Sequence, residues 1–174
     1  QTVDAYGHDL VDETDLADLL YEVSKTDKLV RLGFLTSHPI FMTERIIEAV
    51  RDIDKVAERI NLPVQSGDDN VLHNMRRRYD LVQYRNLVEK IKSIIPDVSL
   101  STDIIVGFPG ESNEEFENTL KLVEDVQFDK IHILKYSERP GTLAARKMVD
   151  DVSKEEKQYR FKVLEETQKQ ISYK

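Results

Sequence analysis

Ser101-Thr-Asp-Ile-Ile-Val-Gly-Phe-Pro-Gly-Glu111 reads as a buried strand that runs straight into a glycine–proline turn. Ile104, Ile105 and Val106 form a short continuous apolar run, the pattern of a parallel strand covered on both faces. Gly107 and Gly110 bracket Phe108-Pro109, and an acidic helix start follows from Glu111 to Glu115. In α/β proteins ligands bind at the carboxyl ends of such strands. Thr102 and Asp103 are polar groups set inside the strand, and buried polar groups need a partner.

Outward from this stretch, helix and strand signals alternate. Thr14 or Asp15 caps a helix through Leu16, Leu19, Leu20 and Val23, and Thr43 caps one through Ile46, Ile47 and Val50. Leu29 to Leu35 and Ala57 to Val64 read as strands, and a short helix is expected from Asn70 to Met75. Asp80 caps a longer helix that stops near Pro96, and Ser112 or Asn113 caps another through Phe116, Leu120, Val123 and Val126. Val98 to Val106 and Lys130 to Tyr136 complete four strands, and Ser153 with Glu156 forms a capping box for a charged helix to about Ile171. Strands joined by helices are parallel with right-handed crossovers. The expected class is α/β, a partial parallel (β/α) barrel of about four βα units. Four strands are too few to close a barrel, and Gln1-Thr-Val-Asp4 reads as a loop after an absent strand. The chain is thus expected to be the C-terminal portion of a larger barrel, truncated on its N-terminal side.

Composition narrows the function classes. The 174 residues are 40% hydrophobic and 33% charged, which suits one globular domain. Neither a membrane span nor a signal pattern is visible, so a cytoplasmic protein is expected. A net charge of −8 argues against a uniformly basic nucleic-acid binder. Arg76-Arg77-Arg78 is the only tight basic cluster, readable as a solvated helix end. The absence of cysteine removes disulfides, thiol nucleophiles and thiolate ligands. His8, His38, His73 and His132 lack metal-site spacing.

All four strands end in polar loop formers: Thr36-Ser37-His38, Gln65-Ser66, Asp103 with Gly107, and Tyr136-Ser137 with Arg139. Each has a plain reading as a turn or strand terminator; their convergence on one face is what a ligand site requires. A nucleoside-type cofactor suits them, with Gly107 allowing close approach of a flat ring, Asp103 and Gln65 facing ribose hydroxyls, and the strand near Tyr136 reading an adenine edge.

Thr36-Ser-His-Pro39, Leu62-Pro-Val-Gln-Ser-Gly67, Ser101 to Glu111 and Tyr136-Ser-x-Arg-Pro-Gly-Thr142 together resemble the radical S-adenosylmethionine methylthiotransferases, specifically their tRNA-modifying, MiaB-type branch. The resemblance runs from about Gln1 to Lys174. It implies a radical SAM partial barrel that binds S-adenosylmethionine, with [4Fe–4S] clusters ligated outside this chain. It also implies an auxiliary-cluster domain and a TRAM domain that this chain lacks. The implied activity of the parent is addition of a methylthio group to C2 of N6-isopentenyladenosine beside the tRNA anticodon. Cofactor-binding positions carried over are Gln65, Ser66, Asp103, Ile105, Gly107, Tyr136 and Ser137; Ser37, His38 and Arg139 fall on the substrate side. This chain alone is expected to be inactive, and it provides no catalytic or metal-ligating residue.

Three positions depart from the family pattern. Gly33 stands where arginine is frequent, and Arg78 and Asp80 replace a common glycine and threonine. Alternative readings are the relatives that modify a ribosomal-protein aspartate, against which Ser66 speaks, and a non-catalytic nucleotide-binding α/β module.

Overall fold

The structure is a computed structural model that describes residues 2–11 and 14–173. Gln1 and Lys174, the ends of the expected domain, lie outside the described residues. Among the described residues a 3-10 turn (Val3–Ala5) precedes α1 (Leu16–Ser24), α2 (Glu44–Asp52), β1 (Arg59–Asn61), α3 (Asp69–Asn74), α4 (Leu81–Ile94), β2 (Ser99–Val106), α5 (Asn113–Val126), β3 (Lys130–Lys135), α6 (Leu143–Lys147) and α7 (Lys154–Ser172). The strands form an open sheet in the order β1-β2-β3, with β1 and β2 parallel. No helix of the described residues is long and apolar enough to cross a membrane.

Packing divides the chain into two compact units, Gln1–Pro63 with Asn86–Ser101, and Val64–Arg85 with Thr102–Lys174. In the first, Asp15 caps α1 through a reciprocal box with Asp18, and Thr43 caps α2. Arg45 then pairs with both Asp15 and Asp18. Ile46, Ile47 and Val50 are the buried stripe of α2, and Ile60, Leu62, Ile91 and Leu100 are buried with them in the core of this unit. Register in the sheet runs Arg59↔Ser99, Ile60↔Leu100 and Asn61↔Ser101.

The strand expected over Leu29 to Leu35 does not form. In that stretch the ladder is reduced to one isolated bridge, at Leu32 with Val56. Left-handed Lys28 (φ 64) and Thr36 (φ 67) bracket it, and Val30 is 89% exposed. A ladder needs successive backbone partners, and here the bonds are scattered: Leu29 donates back to Thr26, Leu32 donates to Lys55 and accepts from Ala57, Thr36 accepts from Val3, and the Ser37 N–H donates to Asn61. Among the described residues the sheet therefore has three strands rather than four.

The strand expected over Ala57 to Val64 is shortened to three residues. Leu62 still donates to the Ser101 carbonyl, but Pro63 has no N–H to continue the ladder. In the second unit the Val64 N–H turns instead to the Thr102 hydroxyl at 2.9 Å. Fully buried Thr102 thus has a structural duty: it replaces a carbonyl of the ladder.

The other helices follow their local signals. Asp80 and Gln83 cap α4 reciprocally, and the helix ends two residues before Pro96. Ser112 and Glu115 form a capping box on α5, whose buried stripe is Phe116, Thr119, Leu122, Val123 and Val126. Leu120 is only half-buried, and Thr119 takes the inward place. Ser153 caps α7, yet the box expected with Glu156 is half-made, because the Glu156 carboxylate turns to Arg160 at 2.8 Å. Helix α6 was not anticipated.

Thr102→Val keeps the shape of the side chain but strips the buried Val64 N–H of its acceptor. We expect a loss of about 1–3 kcal/mol in denaturant unfolding; an unchanged midpoint would mean that this N–H finds another partner.

Candidate functional site

Gln65, Ser66, Asp103, Ile105, Gly107, Tyr136, Ser137 and Arg139 all lie in the second unit. Gln65 adopts φ +75, uncommon for a residue with a side chain. Its N–H donates to the Asp103 carbonyl and its carbonyl accepts from the Ile105 N–H, both at 2.9 Å. These two bonds seat Gln65 opposite Ile104. Period-two alternation places half-buried Asp103 and Ile105 on one face of β2 and fully buried Ile104 on the other.

Ser66 is differently employed. It is fully buried, its hydroxyl 3.4 Å from the Thr119 hydroxyl and accepting from the Asp68 N–H at 3.3 Å. The Thr119 hydroxyl also accepts from the Gly67 N–H at 2.9 Å. A Cβ on Gly67 would stand 2.4 Å from the Thr119 Cα, so only glycine allows α5 this close. The Gln-Ser-Gly turn is clamped to a threonine that sequence reasoning missed.

Gly107 (φ +71) opens the turn after β2. Its N–H donates to the Glu111 carboxylate at 2.6 Å, and Glu111 is 4% exposed. Arg160 of α7 reaches the same carboxylate oxygen at 2.7 Å and the Glu111 carbonyl at 2.9 Å. Burial pushes the Glu111 carboxyl up, while the Gly107 N–H and Arg160 pull it back down. The space beside the Gly107 Cα is filled from within: a Cβ there would lie 2.3 Å from the Lys157 Cγ. The absent side chain thus admits the stem of Lys157, where the sequence pattern suggested a ligand ring.

Lys157 is 5% exposed, holds Asp150 through both carboxylate oxygens and lies 5.2 Å over the Tyr136 ring. Tyr136 meets Phe108 edge-on at 5.2 Å, and its N–H donates to the Val106 carbonyl. Helix α7 therefore fixes both the Gly107 turn and the Tyr136 ring. A hint was available: Lys157, Arg160 and Leu164 occupy successive turns of one face, with cations where a core stripe should be apolar. Ser137 and Arg139 are exposed, and the Arg139 carbonyl accepts from Thr142, the cap of α6. Gly33 faces open space, and Arg78 is exposed.

Ser37 and His38 lie in the first unit. There the His38 N–H donates to Asp4 at 2.7 Å. Asp4 is 1% exposed, and neither its second oxygen nor the buried Ser37 hydroxyl has a hydrogen-bond partner. The His38 and His8 rings flank Phe41 at 5.6 and 4.8 Å. Burial raises the Asp4 carboxyl to about 6, against the pull of the His38 N–H. No residue pattern near Asp4 had marked it.

Breaking the buried pair by Arg160→Met strands the Glu111 carboxylate. A destabilisation of about 3–5 kcal/mol is expected in chemical unfolding, and a change under about 1 kcal/mol would remove the pair from the framework. Asp4 has a different signature. The folded state holds its proton more tightly than the unfolded chain, so its contribution is complete below about pH 4 and is lost as pH rises to about 6. Stability measured against pH should decline across that window in the wild type relative to Asp4→Asn; parallel profiles would contradict the shift.

The radical SAM superfamily model matches residues 4–123. The tRNA-2-methylthio-N(6)-dimethylallyladenosine synthase of Herpetosiphon aurantiacus is 53% identical over 99% of this chain, which covers 40% of that protein. Its counterpart in Roseiflexus is 53% identical, with 37% of its length covered, and that of Clostridium botulinum 48%, with 38% covered. The chain thus spans about 40% of the length of the curated relatives it matches. Among solved structures, coproporphyrinogen III oxidase of Escherichia coli, a radical SAM enzyme, superposes with a TM-score of 0.67 at 22% identity, over 81% of this chain and 32% of its own. The archaeal Elp3 of Methanocaldococcus infernus superposes with 0.54 over 65% of this chain and 26% of its own, also at 22% identity. With an open α/β sheet, a shared fold and a family match across more than two thirds of its length, the chain belongs to the radical SAM superfamily.

Proposed function

We propose that this chain is the S-adenosylmethionine-binding part of a tRNA methylthiotransferase that modifies C2 of N6-isopentenyladenosine beside the anticodon. The observation that carries the reading is identity near 50% along the whole chain with relatives named for that product. tRNA is the proposed partner and the cytoplasm the proposed location. The cluster-binding and TRAM parts belong, in this reading, to the rest of the protein.

The donor set suits the cofactor. A carboxylate at Asp103 and a carboxamide at Gln65 are matched to vicinal ribose hydroxyls, which both donate and accept. Ile105 and the Tyr136 ring offer apolar surface to an adenine, and Ser137 adds a hydroxyl at the end of β3. Gly107 contributes shape, with its turn braced by Glu111 and Arg160. The hydroxyl of Ser66 is engaged with Thr119 and Asp68, so its role is to hold the turn that presents Gln65.

When bound, S-adenosylmethionine supplies hydrogen-atom abstraction and a methyl group. The residues here orient it and exclude water, and the cofactor carries the difficult chemistry. An iron–sulfur cluster does not fit this chain, because it has no cysteine. No step is assigned to a metal here, and the chain by itself should turn over no substrate.

Incubating the intact protein, reconstituted without oxygen, with an isopentenylated anticodon stem-loop and S-adenosylmethionine should yield the methylthio product by mass spectrometry. Absence of that product from an iron-replete preparation would reject the reading. Asp103→Asn should raise the KM for S-adenosylmethionine about tenfold to a hundredfold, the range for losing a charge-assisted hydrogen bond, with little change in melting temperature.

A further inference from the structure

The basic run Arg76-Arg77-Arg78 is not absorbed by the cofactor site. It follows α3, which closes with two bonds that wrap its end: the Arg76 N–H donates to His73 and the Arg77 N–H to Leu72. Such a wrap places one residue in the left-handed region, normally glycine. Here it is Arg76, with φ 58. The fold therefore holds an arginine where the backbone favours glycine.

What this geometry serves is visible in the cleft beside it. The cleft holds about 460 Å³. His73, Arg76 and Arg77 line it together with Lys147, the last residue of α6. Half-buried Leu143 and Met148 give it an apolar wall, near Phe108. The chain carries 33 acidic residues, yet among the described residues not one of them lines this cleft. The Nε of Arg77 is enclosed and has no hydrogen-bond partner. Cations that merely complement a helix end would be solvated, and this guanidinium nitrogen is not. A neighbouring cleft shares His73 and Arg77 and adds Arg78, and there Asp69 and Asp80 also line it.

We infer that the cleft between Arg76-Arg77 and Lys147 holds the phosphodiester backbone of the RNA substrate, with the adjoining nucleoside against Leu143 and Met148. Clustered cations in a cleft whose described lining holds no carboxylate match a phosphate chain, and an apolar wall matches a sugar or base face. Ile105 lines the same cleft and is a proposed cofactor residue, so the bound strand would run beside the cofactor. The inference rests on the proposed tRNA activity and adds the residues that position the RNA in this part of the protein.

The test uses the intact protein and a fluorescent anticodon stem-loop, with affinity measured by anisotropy across a salt series. Arg77→Gln combined with Lys147→Gln should weaken RNA binding about tenfold near ~0.1 M salt and lower the slope of log K against log salt by about one for each phosphate no longer neutralised. S-Adenosylmethionine affinity and the melting temperature should stay at wild-type values, and Arg78→Gln should bind RNA as wild type does. Unchanged RNA affinity and slope in the double variant would overturn the inference. So would loss of S-adenosylmethionine binding with RNA binding intact, which would make the cleft a cofactor subsite, or an equal loss in Arg78→Gln, which would point to general charge. A wild-type protein that does not bind the stem-loop would bring down the tRNA reading itself, and this assignment with it.

Discussion

Three groups meet at the turn after β2: the Gly107 N–H, the Glu111 carboxylate and the Arg160 guanidinium. Each is buried, and each would be costly alone. An ion pair removed from water is stable only when its remaining hydrogen-bonding capacity is filled. Here Glu111 accepts from Gly107, while Arg160 also donates to the Glu111 carbonyl, Asn113 and Glu156. The consequence is conformational. Gly107 is held in the left-handed region by an acceptor that is itself held by α7, so the end of β2, the start of α5 and the last helix form one framework.

The second constraint is the proline in the β1 extension. Pro63 interrupts the ladder, Thr102 lends its hydroxyl to the Val64 N–H, and pairing resumes at Gln65 with φ +75. The backbone of Gln65 is thereby held between the Asp103 carbonyl and the Ile105 N–H. Ser66, Gly67 and Thr119 lock the following turn. A turn built in this way is rigid because its backbone groups are satisfied within the protein.

Much of this was legible in the residues. The apolar run Ile104 to Val106, the caps at Asp15, Thr43, Asp80, Ser112 and Ser153, and the stop before Pro96 are short-range signals, and each appears where expected. The expected strand over Leu29 to Leu35 failed because apolar character alone does not supply backbone partners. The polar character of Thr102 called for a partner without naming it, and Ser66 was read only for a cofactor, whereas both hydroxyls also have hydrogen-bonding roles inside the fold. Their partners were not visible in a linear pattern.

Helix boundaries, the α/β alternation and the motif series that marks the superfamily were set by the order of residues alone, as was the absence of any thiolate ligand in a chain without cysteine. Those properties depend on neighbours within a few residues or on composition. Tertiary structure decided which polar groups brace the backbone. Arg160 meets Glu111 across 49 positions and Thr119 meets Ser66 across 53. Whether a charge is solvated or enclosed depends on what the rest of the chain brings against it. For that reason Lys157, Arg160 and Asp4 read as surface residues in the sequence and are buried in the fold.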